Sequence, residues 1–423
     1  MIQFKNQLFV ASCLSMLTTA MIFSVRADIL GPVANQFHLS NEMVGWIVGS
    51  VFWGFTLGIF ICGLIVDSFG MKRLHVLSGV LYILGILMII TAPNPNDNEI
   101  VQHVFSTASS SILYFGFLIT GISQGIVEGV VNPLITTIYS DSKGKMLNRL
   151  HAWWPAGLII GGLVSWIFGI WELSWQLKLA AVAVPAISYL AIIVSISYPK
   201  TERVLRQIST IEMYKQALNP KFVFLFALMW LTAATELGPD QWFGKIMAEL
   251  IPNLGNHAIL YLTYTAGLMF ALRTFCAGIV QKISPFLLLT VCSILTALGL
   301  FCLGTKPQLN IGSIYWALLG ATMFGVGKTF FWPTMLGITS ELFPKGGAFL
   351  INLMGGGGML SVMLVLPLIG SVIDSEDVSA ALRKLAVLPI VLTISFLALY
   401  FFQQSGSESK SVVARNKKVG GKK

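Results

Sequence analysis

Twelve long apolar stretches, separated by short polar ones, run the length of the chain. They predict helices over residues 7–36, 43–66, 73–92, 109–139, 147–170, 176–198, 221–247, 257–280, 284–304, 310–340, 346–372 and 381–403. An apolar run of about 18 residues or more is long enough to cross a bilayer as a helix. The runs are continuous rather than alternating, which argues against a membrane β-barrel. Helices also satisfy their own backbone groups where lipid offers no partner. The predicted fold class is therefore an all-α membrane protein with twelve transmembrane helices. The longest polar connector splits the spans six and six. This predicts a six-helix bundle over 1–198, a linker at 199–220, a second bundle over 221–403 and a basic tail at 404–423. Within the linker, 208–218 reads either as a short interfacial helix or as a solvated stretch.

Composition agrees. The chain is 55% hydrophobic and 11% charged, with a mean hydropathy of +0.79, well outside the range of soluble domains. The net charge of +9 is distributed unevenly among 27 basic residues. Lys5, Lys72, Arg73, Lys143, Lys145, Arg149, Lys200, Arg203, Arg206, Lys215, Lys221, Lys282, Lys345 and the tail all fall on the side that carries both termini. Lys178, Lys245, Lys306, Arg383 and Lys384 fall on the other. The positive-inside rule then places both termini in the cytoplasm, with the spans in a plasma (inner) membrane. The basic excess is a topology signal and needs no nucleic-acid partner. The five cysteines, at 13, 62, 276, 292 and 302, lie in apolar runs without metal or disulfide spacing. Val10-Ala-Ser-Cys13 has the residues of a lipoprotein box but too short an apolar segment before it, so the first run is expected to stay as a span.

The two halves carry matched positions. Gly125, Pro133, Ile138, Ser140, Lys145 and Gly157 align with Gly325, Pro333, Ile338, Ser340, Lys345 and Gly357, and Asp141 aligns with Glu341. In the same register Glu128 stands opposite Lys328. A charge inside a span costs roughly 2.5–3.5 kcal/mol on insertion scales, so such residues are functional candidates. Parallel six-span repeats with a solute site between them are a known transporter architecture.

Between the second and third runs stands Gly63-Leu-Ile-Val-Asp67-Ser-Phe-Gly70-Met-Lys72-Arg73. It resembles the signature loop of the major facilitator superfamily. The physical logic is readable: Gly63 permits close helix approach, Gly70 a tight turn, and Asp67 and Arg73 an inner gate that one conformation would hold and the other break. The equivalent stretch from Arg273 through Gly278 to Lys282 lacks the aspartate, so any second gate there differs.

Further charges lie within the runs. Arg26 and Asp28 sit two apart in the first span and point about 200° apart on an unbroken helix. Glu128 lies deep in the fourth span, flanked by Gln124 and Asn132. Isolated by burial it would exchange protons near neutral pH; paired with Arg26 it would stay ionised as a structural ion pair. The pattern Glu128-x-x-x-Asn132-Pro133, with Asp28-Ile-Leu and Pro32 in the first span and Leu147-Asn148, His151 and Gly157 around the fifth, resembles the fucose–proton symporter family. That resemblance implies proton-coupling roles for Asp28 and Glu128. Arg26, Lys328 and the bulky run from His151 through Trp154 depart from the pattern of a neutral-sugar path. In the seventh span Glu236 and Asp240, four apart, share a helical face unless Pro239 bends it, and could cluster with Lys328. Trp332 could stack on a sugar ring and Asn352 could add a hydrogen bond. Gly355–Gly358 reads as close packing or a hinge. Gly325-Val-Gly-Lys328-Thr329 ends like a phosphate-binding loop, but Thr322 stands where its first glycine belongs and no strand precedes it.

The expected protein is not an enzyme and carries no cofactor or metal. It is a monomeric secondary transporter that moves a small polar solute, a sugar first, together with protons. Asp28 and Glu128 are the coupling acids. Arg26, Gln124, Asn132, His151, Glu236, Asp240, Lys328, Trp332 and Asn352 line the path, and Asp67, Gly70 and Arg73 form the gate. An organic-anion or amino-acid carrier using Arg26 and Lys328 is the alternative, followed by a non-transporting sensor that keeps the fold.

Overall fold

The computed structural model describes the chain except residues 1–3, 96–100, 102, 141–145, 147–148, 202–209, 252–253, 276–282, 306–312, 344–345 and 421–423. The readings made above for Asp141, Lys143, Lys145, Leu147, Asn148, Arg203, Arg206, Gly278, Lys282, Lys306 and Lys345 lie outside these residues, as does the side chain of Asp67. The described residues form an all-helical bundle, and eleven helices in it are long and apolar enough to cross a membrane. The first six spans are α1 (Lys5–Gln36), α2 (Asn41–Phe69), α3 (Met71–Ile90), α4 (Ala108–Ile138), α5 (Arg149–Ile170) and α6 (Trp175–Val194). After a connector containing a short helix at Thr210–Lys215 come α7 (Pro220–Leu250), α8 (Gly255–Phe275) and α9 (Pro285–Leu303). The chain ends with α11 (Gly347–Ser375) and α12 (Val378–Gln404).

The tenth run departs from expectation. It folds as two helical segments, α10a (Ser313–Lys328) and α10b (Phe331–Leu342), rather than one continuous span. Pro333 has no N–H to offer the carbonyl four residues earlier, that of Thr329, and the ladder opens there. Thr329 N–H instead donates to Val326 in a tighter turn, and the next regular bond runs from Thr334 to Phe330.

Helix starts follow their capping residues. The Ser40 hydroxyl accepts from the Met43 N–H at α2, Thr107 and Ser110 form a reciprocal box at α4, and Asn219 caps α7 just before Pro220. Close packing between α2 and α4 comes from paired glycines. A side chain at Gly54 or Gly58 would strike the backbone of Leu118 or Ile122, and one at Gly121 or Gly125 that of Val51 or Phe55. Lipid supplies no hydrophobic drive between helices, so this intimate backbone contact does the holding. Gly63, by contrast, has no atom of the described residues within 4 Å of where its Cβ would sit, whereas Gly70 makes its turn, with φ +92°. Gly355–Gly358 packs against aromatics: Trp332 lies on Gly355 and Gly358, Phe60 on Gly356 and Phe226 on Gly357.

Candidate functional site

Glu128 sits half-buried on α4. One turn later the Asn132 Nδ2 donates to its Oε2 at 2.9 Å, and the His151 Nε2 lies 3.0 Å from the Asn132 Oδ1. Asn132 is reached because positions four apart share a helix face. The three residues form one hydrogen-bonded chain ending on the carboxylate. Arg26 does not pair with Glu128. Its Nε donates to the Gln241 Oε1 on α7, and its guanidinium lies 5.2 Å from the Phe23 ring and 5.0 Å from the Phe52 ring. Among the described residues no cation stands within ion-pair distance of Glu128. Gln124, one turn before it, is buried.

Asp28 has a partner that the sequence reading left on the membrane surface. Lys178, in the apolar run of α6, is 6% exposed and donates to the Asp28 Oδ2 at 2.7 Å. The opposed directions of Arg26 and Asp28 follow from their spacing: one side chain meets α7 and the other α6.

The second half gathers four charges around the break in α10. Lys328 is fully buried and lies 2.5 Å from each Asp240 carboxylate oxygen. One turn along α7, Glu236 faces Arg273 of α8 at 4.0 Å. The Arg273 Nε donates to the Thr329 carbonyl at 2.9 Å, the acceptor left open by Pro333. Glu236 and Asp240 thus do share a face across Pro239, and Lys328 joins them. Trp332 and Asn352 are half-buried on α10b and α11.

Contacts between the first six and last six spans concentrate away from the termini. The Asp374 carboxylate of α11 accepts from the Asn41 and Glu42 N–H groups at the start of α2, at 3.1 and 2.8 Å, and the Lys245 Nζ reaches the Asn41 Oδ1 at 2.5 Å. Gln241 also donates to the Phe23 carbonyl, and Trp166 donates to His257 between α5 and α8. Along α2 and α11 the seam runs down to the bond from Thr56 to the Gly356 carbonyl at 2.7 Å. In the loop between α2 and α3 Arg73 is exposed and lies 5.7 Å from the Phe69 ring, while Lys72 donates to the Val194 carbonyl.

Sequence reasoning missed Lys178, Gln241 and Arg273. A signal existed for two of them: Lys178 and Arg273 are cations inside apolar runs, and the rule applied to Glu128 and Lys328 covers them too. Gln241, a neutral amide, gave none. Among the described residues no group of three or more His, Cys, Asp or Glu side chains could hold a metal ion.

The described residues form a bundle of apolar helices with polar and charged side chains turned inward, as in multi-pass membrane proteins. The chain matches the Major Facilitator Superfamily over residues 8–319 and belongs to it. It is a multi-pass transporter of that superfamily and not an enzyme. It is 22% identical over 351 residues, 80% of this chain and 81% of the other, to a Bacillus subtilis (strain 168) protein described as a candidate niacin/nicotinamide transporter. It is 23% identical over 159 residues to a D-xylose transporter of Levilactobacillus brevis, covering 36% of this chain and 31% of that one. Its fold superimposes on the E. coli xylose transporter in a partially occluded inward open conformation with a TM-score of 0.75. That match has 14% identity and covers 93% of this chain and 98% of the other.

Proposed function

We propose that the protein is a proton-coupled secondary transporter of a small polar solute, with Glu128 as the coupling acid. It works as a monomer by alternating access between two six-helix bundles, residues 1–198 and 221–403, joined by the 199–220 linker. It lies in the plasma (inner) membrane with both termini in the cytoplasm. The observation that carries this reading is the Glu128–Asn132–His151 chain, a carboxylate within a span that is hydrogen-bonded to Asn132, with no Lys or Arg bonded to it among the described residues. Such a group can take up and give back a proton without breaking an ion pair. Asp28, fixed by Lys178, supports the first bundle as a structural partner in this reading. Asp67, Gly70 and Arg73 would close the side of the termini when the far seam opens.

A sugar stays within the solute class, since Trp332 offers a half-buried aromatic side chain against Gly355 and Gly358 and one relative is a D-xylose transporter. An organic acid has a separate support: Arg26 lacks a carboxylate partner, and the relative that aligns over most of this chain is described as a candidate niacin/nicotinamide carrier. The test is uptake by proteoliposomes containing only this chain, with an imposed pH gradient and labelled xylose or nicotinate. Accumulation that a protonophore abolishes supports the proposal. Binding of a solute without any uptake would leave only a sensor.

A further inference from the structure

We infer that Arg26 is the anion anchor of the transport path and that the transported solute is a small monocarboxylate. The inference rests on the transport reading proposed above and narrows its substrate class. Arg26 and Lys328 are both buried with no exposed surface, yet their surroundings differ. Lys328 meets both oxygens of Asp240, so its charge is already matched. Arg26 meets one neutral amide, Gln241, through Nε alone. Its Nη1 and Nη2 have no hydrogen-bond partner among the described residues. The Phe23 and Phe52 rings stabilise the cation but do not accept the N–H groups lying in the guanidinium plane. A guanidinium with its two terminal nitrogens free presents the fork that a single carboxylate fills. A desolvated charge left without such a partner is costly, and buried unsatisfied groups in a packed fold call for a functional reason.

The location explains when that partner would bind. The bond from Arg26 to Gln241 crosses the seam between α1 and α7. Gly244, one turn beyond Gln241, lies against the backbone of Ala27 and Asp28, so the two helices are in intimate contact here. Parting α1 from α7 on the far side breaks the Arg26–Gln241 bond and presents the guanidinium to the far mouth. Closing the seam returns Gln241 and withdraws the anchor, which releases the anion toward the side of the termini. Of the buried cations among the described residues, Lys178 and Lys328 each have a carboxylate. One unmatched positive charge suits one negative charge on the solute, and one proton carried with it makes the cycle electroneutral.

The experiment is thermal melting of the full-length purified protein with nicotinate, benzoate and lactate, set against nicotinamide and xylose as uncharged solutes. At least one carboxylate should raise the melting temperature while nicotinamide does not, because bound ligand stabilises the folded state by mass action. Arg26→Gln should weaken that carboxylate by about tenfold or more. Gln241→Ala, which keeps the guanidinium and removes only its seam partner, should bind the carboxylate at least as well as the unsubstituted protein and so guards against a folding defect in the first variant. Equal carboxylate binding by Arg26→Gln overturns the anchor. Stabilisation by xylose or nicotinamide with none by any carboxylate overturns the substrate class and leaves the transport reading standing. Carboxylate binding that Arg26→Gln abolishes, without uptake of any solute into proteoliposomes, upholds the anchor as a binding site and removes the transport reading.

Discussion

Pro133 and Pro333 stand at matched positions, five residues after Glu128 and Lys328, yet α4 runs unbroken through its proline and α10 does not. The difference lies in what surrounds each. Around α10 the freed Thr329 carbonyl is met by Arg273, and Lys328 by Asp240, both from other helices. Around α4 the charged residue is met by Asn132 of its own helix and by His151. A broken backbone with cross-helix ion pairs fixes the last six spans. Around Glu128 the contacts are hydrogen bonds from Asn132 and, through it, His151, with no ion pair among the described residues. Matched positions in the sequence thus stand in a buried charge cluster on one side and in a hydrogen-bonded chain on the other.

The comparison can be broken first at its strongest point. Lys328→Met leaves Asp240 buried without a counter-ion and should cost about 3–5 kcal/mol, seen as a large fall in melting temperature and in yield of folded protein. Adding Asp240→Leu should recover much of the loss, since paired apolar replacements remove both desolvated charges. Arg273→Ala should cost less, about 1–3 kcal/mol, for an unsatisfied carbonyl at Thr329. That loss should shrink when Pro333→Ala restores a local N–H donor, and an additive double-mutant cycle would show that Arg273 does not serve the break. His151→Gln should change stability by less than about 1 kcal/mol, because the glutamine amide can still donate to Asn132. A loss as large as that from Lys328→Met would mean the α4 chain is structural after all.

Most of the fold was readable because lipid imposes one rule on every span: a long apolar run must be a helix. The break in α10 was hidden because an identical proline in α4 produces none, and only the cation on α8 distinguishes them. Of the site, the Asp240–Lys328 pair was legible from the shared helix face of Glu236 and Asp240. The Glu128–Asn132 bond followed from spacing. The partners of Arg26 and Asp28 were not legible, since Gln241 and Lys178 come from helices whose neighbours are set by packing of glycines and side chains across the bundle. The resemblance to fucose–proton symporters rested on short segments around Asp28, Glu128 and His151. Those segments place polar groups in the first six spans, but Lys178 gives Asp28 surroundings that the motif alone did not predict.

The central claim is that Glu128, not the paired charges of the second half, carries the proton. Its most direct test compares uncoupled exchange with pH-driven accumulation in proteoliposomes of the Glu128→Gln variant. For one proton per solute, with the membrane potential clamped, a gradient of one pH unit is worth about 1.36 kcal/mol, or about tenfold accumulation in the unsubstituted protein. Glu128→Gln should keep solute exchange and lose the accumulation, with inside and outside concentrations equal. Retained accumulation of about tenfold in that variant would contradict the account.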